Sequence, residues 1–221
     1  MAGVIIDAHV HLLPDTVRAN LEATAARDPW FAACHAGNAR VSTPRSLLEE
    51  MDAAEIDRAV CFTWPFADPE LCAEANDWLA AVVARYPDRL VGFGVVNPAA
   101  PGAAAEVWRC ARLGLRGLGE LNADAQGWAL DGGHDAAAVD AVVAASLDAG
   151  LVWTLHCSEP VGHAYPGKGT ATPGLVAGFA ERHPDLRLIC AHLGGGLPLY
   201  AQMPEVRRLC RRLWFDTAAQ P

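Results

Sequence analysis

The chain lacks any C-x-x-C pair. Its seven cysteines, at 34, 61, 72, 110, 157, 190 and 210, are odd in number and scattered. That argues against a disulfide framework or a zinc ribbon and suits a reducing, cytoplasmic setting. Basic residues are in deficit, 17 against 26 acidic, for a formal charge of -9, which argues for solubility and against a nucleic-acid partner. The one basic run, Arg207-Arg208-Leu209-Cys210-Arg211-Arg212, reads as a solvated helix face. No apolar stretch approaches the roughly 18 residues of a membrane span, so no membrane partner is expected. The opening MAGVIIDAHVHLLP carries no positively charged leader and sets Asp7 and His9 inside its apolar run, unlike a signal peptide. No low-complexity linker interrupts the 221 residues, of which 52% are hydrophobic and 19% charged. One domain over 1–221 with a large core is therefore expected.

What the chain does have is a regular alternation. Short runs rich in Val, Ile and Leu recur at 4–10, 56–63, 90–96, 115–121, 151–156, 186–192 and 213–217, each reading as a strand buried on both faces. Helical patterns fall between them at 44–54, 68–86, 103–113, 135–149, 173–183 and 200–212, the first with Thr43 as N-cap before Pro44. Such alternation implies parallel strands joined by right-handed crossovers. The first strand-to-strand spacing, 52 residues, holds an insertion containing Asp28-Pro29-Trp30-Phe31. A doubly wound sheet would want G-x-G-x-x-G after an early strand. His11-Leu12-Leu13-Pro14 stands there instead, so an α/β fold of the TIM-barrel type is expected, with seven strands visible.

A barrel carries its chemistry at the C-terminal ends of its strands, and that is where the polar residues fall. His9 and His11 end the first strand, Glu120 the fourth, His156 the fifth and His192 the sixth, with Asp216 near the end of the seventh. The other histidines, at 35, 134, 163 and 183, lie in loops or at helix ends. Any single strand-end histidine is more simply core, but their joint placement on one rim points to a divalent metal such as zinc, iron or manganese. His9, His11 and His156 make a set of three ligands. His192 suits a fourth ligand, or a general base or electrostatic stabiliser beside a bound water. Asp7, two residues before His9, should share the ligands' face and hold an imidazole in the right tautomer, or else cap the strand. Glu120 would orient substrate, shuttle protons or bridge a second metal, or pair with Arg116. A Cys-His nucleophile is disfavoured: Cys157 neighbours His156 and so points to the opposite face, while Cys190 sits a pleat below His192 and reads as core.

Asp7-Ala-His9-Val-His11, a histidine ending strand five and Ala191-His192-Leu-Gly-Gly-Gly together resemble the amidohydrolase-related family of metal-dependent TIM barrels, the group that includes aminocarboxymuconate semialdehyde decarboxylase. The likeness implies ligation of a divalent metal, zinc being expected, by His9, His11 and His156 and action of His192 on the bound water. It also implies an aspartate from an eighth strand, in a Gly-Ser-Asp-x-Pro segment that this chain lacks. The eighth strand and last helices are thus expected to be missing, leaving the site without that carboxylate and Asp216 as a substitute on the neighbouring strand. A shortened version of a longer protein is the corresponding expectation.

Cys157 to Thr172, CSEPVGHAYPGKGTAT, is long for a βα connection and reads as a substrate loop. Its near match to a phosphate-binding loop fails twice. Gly169 replaces the metal-binding hydroxyl, and Pro166 removes a backbone donor. Glu159, His163, Tyr165 and Lys168 instead suggest a polar mouth for a small, carboxylate-bearing substrate. The expected activity is a metal-dependent hydrolase attacking an amide, lactone or related carbonyl. The alternatives are a non-oxidative decarboxylase of an unsaturated or aromatic acid, and a non-catalytic partial barrel. A homo-oligomer is compatible with the sequence.

Overall fold

A computed structural model describes residues 3–35 and 42–219. Among the described residues seven strands, β1 Ile6–His11, β2 Arg58–Phe62, β3 Leu90–Gly94, β4 Gly117–Leu121, β5 Val152–Leu155, β6 Leu188–Cys190 and β7 Leu213–Phe215, form one sheet. They lie side by side in chain order, and every neighbouring pair is parallel. Each crossover steps to the next strand, so the sheet winds in a single direction and curls into a barrel-type fold. Ile6 on β1 and Trp214 on β7 are 52% and 54% exposed, as befits the two ends of an open sheet. Across that opening the His9 ring nitrogen Nδ1 meets the Asp216 carboxylate at 2.9 Å.

Helices cover the outside, and prolines set where they start. Pro29, Pro44, Pro69, Pro173 and Pro204 each open a helix, where a missing N–H costs nothing and a fixed φ is already helical. Thr43 caps the helix Pro44–Ala53 by accepting from the Ser46 N–H, while the Ser46 hydroxyl accepts from the Thr43 N–H. Before Pro44–Ala53, the described part of the long first connection folds into three further short helices, Asp15–Ala19, Leu21–Arg27 and Pro29–His35. The expected helix over 200–212 begins instead at Pro204, after a 3-10 turn at Leu197–Tyr200. No helix among the described residues is long and apolar enough to cross a membrane.

The core has two layers. Between sheet and helices lies the larger one, which takes in Ala59, Cys61, Leu118, Leu121, Trp153, Leu155, Cys157, Leu188 and Cys190. Inside the curl is a smaller cluster of Val60, Phe62 and Phe93, packed by Val91, Val152 and Ile189. Strand residues alternate between the two layers, so membership tells which way each side chain faces.

The alternation is interrupted at the rim. On β1, Asp7 pairs with Ala59 but Val10 pairs with Cys61, three residues opposite two. This bulge turns Asp7 out of phase with His9 and His11, because Asp7 is now in step with outward-facing Ala59. On β4, Leu118 pairs with Trp153 and Leu121 with Leu155, again three against two, with Gly119 and Glu120 in the bulge. β6 ends at Cys190, two residues short of the expected end. His192 and Leu193 follow with φ of 56° and 53°, in the left-handed region that non-glycine residues seldom adopt.

Candidate metal centre

Five side chains meet inside the rim, and a buried carboxylate stands at their centre. Glu120, 5% exposed, places Oε1 3.0 Å from His156 Nδ1 and 3.1 Å from His192 Nε2, and Oε2 3.5 Å from His11 Nε2. The rings of His9 and His11 lie 5.2 Å apart, and His9 and His192 are also 5.2 Å apart between centroids. Strict alternation would send Glu120 outward with Leu118; the β4 bulge brings it in. No room exists for a side chain at Gly119, whose added Cβ would lie 2.7 Å from Thr154 Cβ.

His192 reaches the cluster by a different device. Alternation from outward-facing Cys190 would point it into the helix layer, but the left-handed turn swings it inward. The Asp216 carboxylate holds this turn: Oδ1 accepts from the backbone N–H of His192 at 2.9 Å and of Ala218 at 3.2 Å. The Leu193 N–H also donates to the Asp216 carbonyl at 2.9 Å. The glycines after it complete the turn. Gly195 has φ 63°, and a Cβ there would lie 2.3 Å from the Ser158 carbonyl oxygen. Gly195 is therefore required by the close approach of this turn to the loop after β5, and Gly194, at φ 61°, by the Phe215 ring 2.9 Å from where its Cβ would lie.

Each imidazole is oriented by its second nitrogen. His11 Nδ1 donates to the Thr63 carbonyl at 3.0 Å, and His192 Nδ1 donates to the Ala218 carbonyl at 2.9 Å. His156 Nε2 lies 3.2 Å from the Ser158 hydroxyl. His9 Nδ1 is on Asp216 Oδ2. The imidazole-holding role expected of Asp7 is filled at His9 by Asp216. The β1 bulge leaves Asp7 Oδ1 accepting from the His9 backbone N–H at 3.0 Å, a local strand-end cap.

The charges follow the geometry. Burial alone would raise the Glu120 carboxyl, but His156, His11 and His192 outweigh it and hold the group well below the usual carboxylate range. Burial alone would depress His192; the hydrogen bond and charge of Glu120 prevail and raise it to about 9. Glu120 is thus partnered by imidazoles, not by Arg116.

Imidazole nitrogens and a carboxylate around one point are the donors of a zinc, manganese or iron centre. Among the described residues His9, Glu120 and His192 form one such set, one donor atom from each lying within 4.8 Å of the others. His11 and His156 adjoin it through Glu120. The residues present fit a divalent ion, with Glu120 more central than strand alternation indicates.

A chamber of about 290 Å³ opens over this cluster, walled by Trp30, Cys34, Trp64, Pro65, Asn122 and Gly167. His35 stacks on Phe31 at 4.1 Å and packs edge-on against Trp64 at 4.5 Å, fixing that wall. Trp30 and Trp64 were not among the residues singled out by the sequence. Trp64, just past the end of β2 on the same rim, carried a positional signal; Trp30 comes from the insertion and carried none beyond its place beside Pro29.

The four loop residues expected to meet substrate chiefly meet each other. Lys168, the only lysine in the chain, donates to Glu159 Oε1 at 3.2 Å and to the carbonyls of Val161 and His163 at 2.7 and 3.2 Å. An ammonium has three protons, so this cation is spent within the loop. The Tyr165 hydroxyl donates to Glu159 Oε2 at 2.9 Å, and the His163 ring packs edge-on to Tyr165. Thr170 ties the loop to Asp124 through its backbone N–H and hydroxyl, at 2.7 and 2.8 Å.

A sequence family described as amidohydrolase matches residues 6–220. The chain belongs to the amidohydrolase family. Among solved structures this family member is similar to 5-carboxyvanillate decarboxylase LigW from Sphingomonas paucimobilis, at 20% identity and TM-score 0.74, over 99% of this chain and 82% of that one. It is also similar to a dihydroxybenzoic acid decarboxylase from Polaromonas sp. JS666, solved with manganese and the inhibitor 2-nitroresorcinol, at 20% identity, TM-score 0.62, and 99% and 80% coverage. A probable 2-pyrone-4,6-dicarboxylic acid hydrolase from Acinetobacter baumannii matches at 16% identity and TM-score 0.55, over 98% of this chain and 71% of that one. At these identities the solved structures bear on the fold, and the family bears on the divalent metal.

Proposed function

We propose that this amidohydrolase-family protein is a metal-dependent decarboxylase of a small ring-bearing carboxylic acid. The observation that carries the reading is the hydrogen bonding of His192. Its Nδ1 donates to the Ala218 carbonyl, and its Nε2 lies 3.1 Å from the ionised Glu120 carboxylate, with His156 Nδ1 beside it at 3.3 Å; in this reading Nε2 donates to that carboxylate, so both ring nitrogens carry protons. His192 is then an acid, which decarboxylation needs, not the base that hydrolysis needs. The names of the LigW and Polaromonas neighbours agree with this choice.

In this reading His9, His11 and His156, with Glu120, hold a zinc or manganese ion. When bound, the ion supplies positive charge that fixes and polarises the oxygens of the acid. Trp30 and Trp64 present flat apolar walls that align a ring and displace water from it. His192 gives its proton to the ring carbon as the bond to the carboxyl carbon breaks. The bonding pair takes the proton, CO2 leaves, and the neutral imidazole regains a proton from solvent. Asp216 keeps the His192 turn aimed at the chamber and fixes the His9 tautomer. Glu159 and Tyr165 border the substrate's far side, while Lys168 and His163 shape the loop.

Hydrolysis of a lactone or amide is the second reading, supported by the name of the Acinetobacter neighbour. One assay separates them: the manganese- or zinc-loaded protein is given a panel of hydroxybenzoic acids and lactones. The proposal expects CO2 release that His192→Asn abolishes while metal stays bound. Ring opening of a lactone without CO2 would replace it with the hydrolase.

A further inference from the structure

A second cavity, of about 650 Å³, adjoins the chamber, and His192 and Ala219 line both. Its walls are mostly apolar: Val161, Tyr165, Leu193, Pro198, Leu199 and Tyr200. Single exposed hydrophobics are ordinary on a protein surface, but here Val161 is 72% exposed and Leu199 81%, and both face one concave space beside the cluster. The Glu159 carboxylate, already held by Tyr165 and Lys168, supplies a few polar atoms at one side. An apolar hollow of this size with a few fixed polar groups has the anatomy of a small-molecule site. The chamber of about 290 Å³ suffices for one ring and its carboxylate; the second cavity has space for more.

We infer that this second cavity is a substrate subsite, taking a neutral apolar substituent, a second ring or a chain of several carbons, that extends past His192 from the acid in the chamber. The inference rests on the proposed function, since it assumes that the carboxylate end binds at the cluster. It narrows the substrate class from small ring acids to acids with an apolar extension and no second charge on it. The ordered Glu159–Tyr165–Lys168 contacts build one wall, so the loop after β5 sets how long that extension is.

The test uses the metal-loaded full chain and calorimetric binding of two probes, benzoate and biphenyl-3-carboxylate. The extended acid should bind at least about tenfold tighter, the gain from fully burying about two methylene equivalents. Leu199→Asp and Val161→Asp, at positions too exposed to govern folding, should bring the ratio of affinities back toward one. Equal binding of both probes by the wild-type protein, or a ratio untouched by both variants, overturns the subsite while leaving the decarboxylase reading in place. Failure of benzoate itself to bind overturns both. A change from dimer to monomer in Leu199→Asp with no change in the ratio reassigns the hollow to contact between copies, and also overturns the inference.

Discussion

Asp216→Asn isolates what one carboxylate does for the metal centre. The amide oxygen of the variant can still accept from the His192 and Ala218 N–H groups, which now reach Oδ1 at 2.9 and 3.2 Å. The left-handed turn is therefore kept. The other atom changes sign: Oδ2, which accepts from His9 Nδ1 at 2.9 Å, becomes an NH2 that can only donate. His9 then accepts at Nδ1 and moves its proton to the other ring nitrogen, which loses the lone pair needed for a metal. Loss of such an orienting partner typically weakens metal binding by about 10–100-fold, about 1.4–2.7 kcal/mol. Competition for zinc or manganese against a chromophoric chelator reads this directly. Thermal unfolding of the metal-free variant serves as the control and should change little, because the backbone bonds survive. Affinity within twofold of wild type would refute the claim that Asp216 fixes the His9 tautomer.

Other substitutions probe the same construction. Glu120→Gln leaves three imidazoles around a neutral amide; metal binding should drop at least about 100-fold, and the metal-free fold should lose about 3–5 kcal/mol in urea titration as a buried charge network is broken. Gly195→Ala puts a methyl 2.3 Å from the Ser158 carbonyl oxygen at φ 63° and should cost about 2 kcal/mol or more, read as a fall in the denaturation midpoint. An unchanged midpoint would show that the turn relaxes freely. For pH, His192 is raised to about 9 from about 6.5 in an unfolded chain. Its contribution to the metal-free fold is complete below about pH 6.5 and is lost as pH rises through about 9. The melting temperature of metal-free protein should fall over that window, and His192→Asn should flatten the profile there.

The sequence reveals the rim but not how its residues turn inward. His11 and His156 could be placed from alternation alone, because β1 at His11 and β5 at its end keep the period of two. Asp7, Glu120 and His192 could not. A bulge on β1 takes Asp7 away from the face of His9, a bulge on β4 brings Glu120 to it, and a left-handed pair after Cys190 rotates His192 by a route no periodicity predicts. Bulges leave almost no mark in sequence, since the same residues would make a continuous strand. The glycines did leave one: Gly119 before Glu120, and Gly194 and Gly195 after His192, sit where the backbone needs space. Lys168 shows the opposite limit. Its charge is plain in the sequence, but its three internal hydrogen bonds, which withdraw it from substrate, arise only from the folded loop.

The central claim is that His192, held doubly protonated by Glu120 and the Ala218 carbonyl, gives its proton to a substrate carbon. Turnover of a ring acid by metal-loaded protein in D2O, with product followed by mass spectrometry and NMR, tests it most directly. The account predicts one CO2 per turnover and one deuterium at the carbon that carried the carboxylate. A product that keeps its carboxylate and instead gains an oxygen from isotopically labelled water would contradict it.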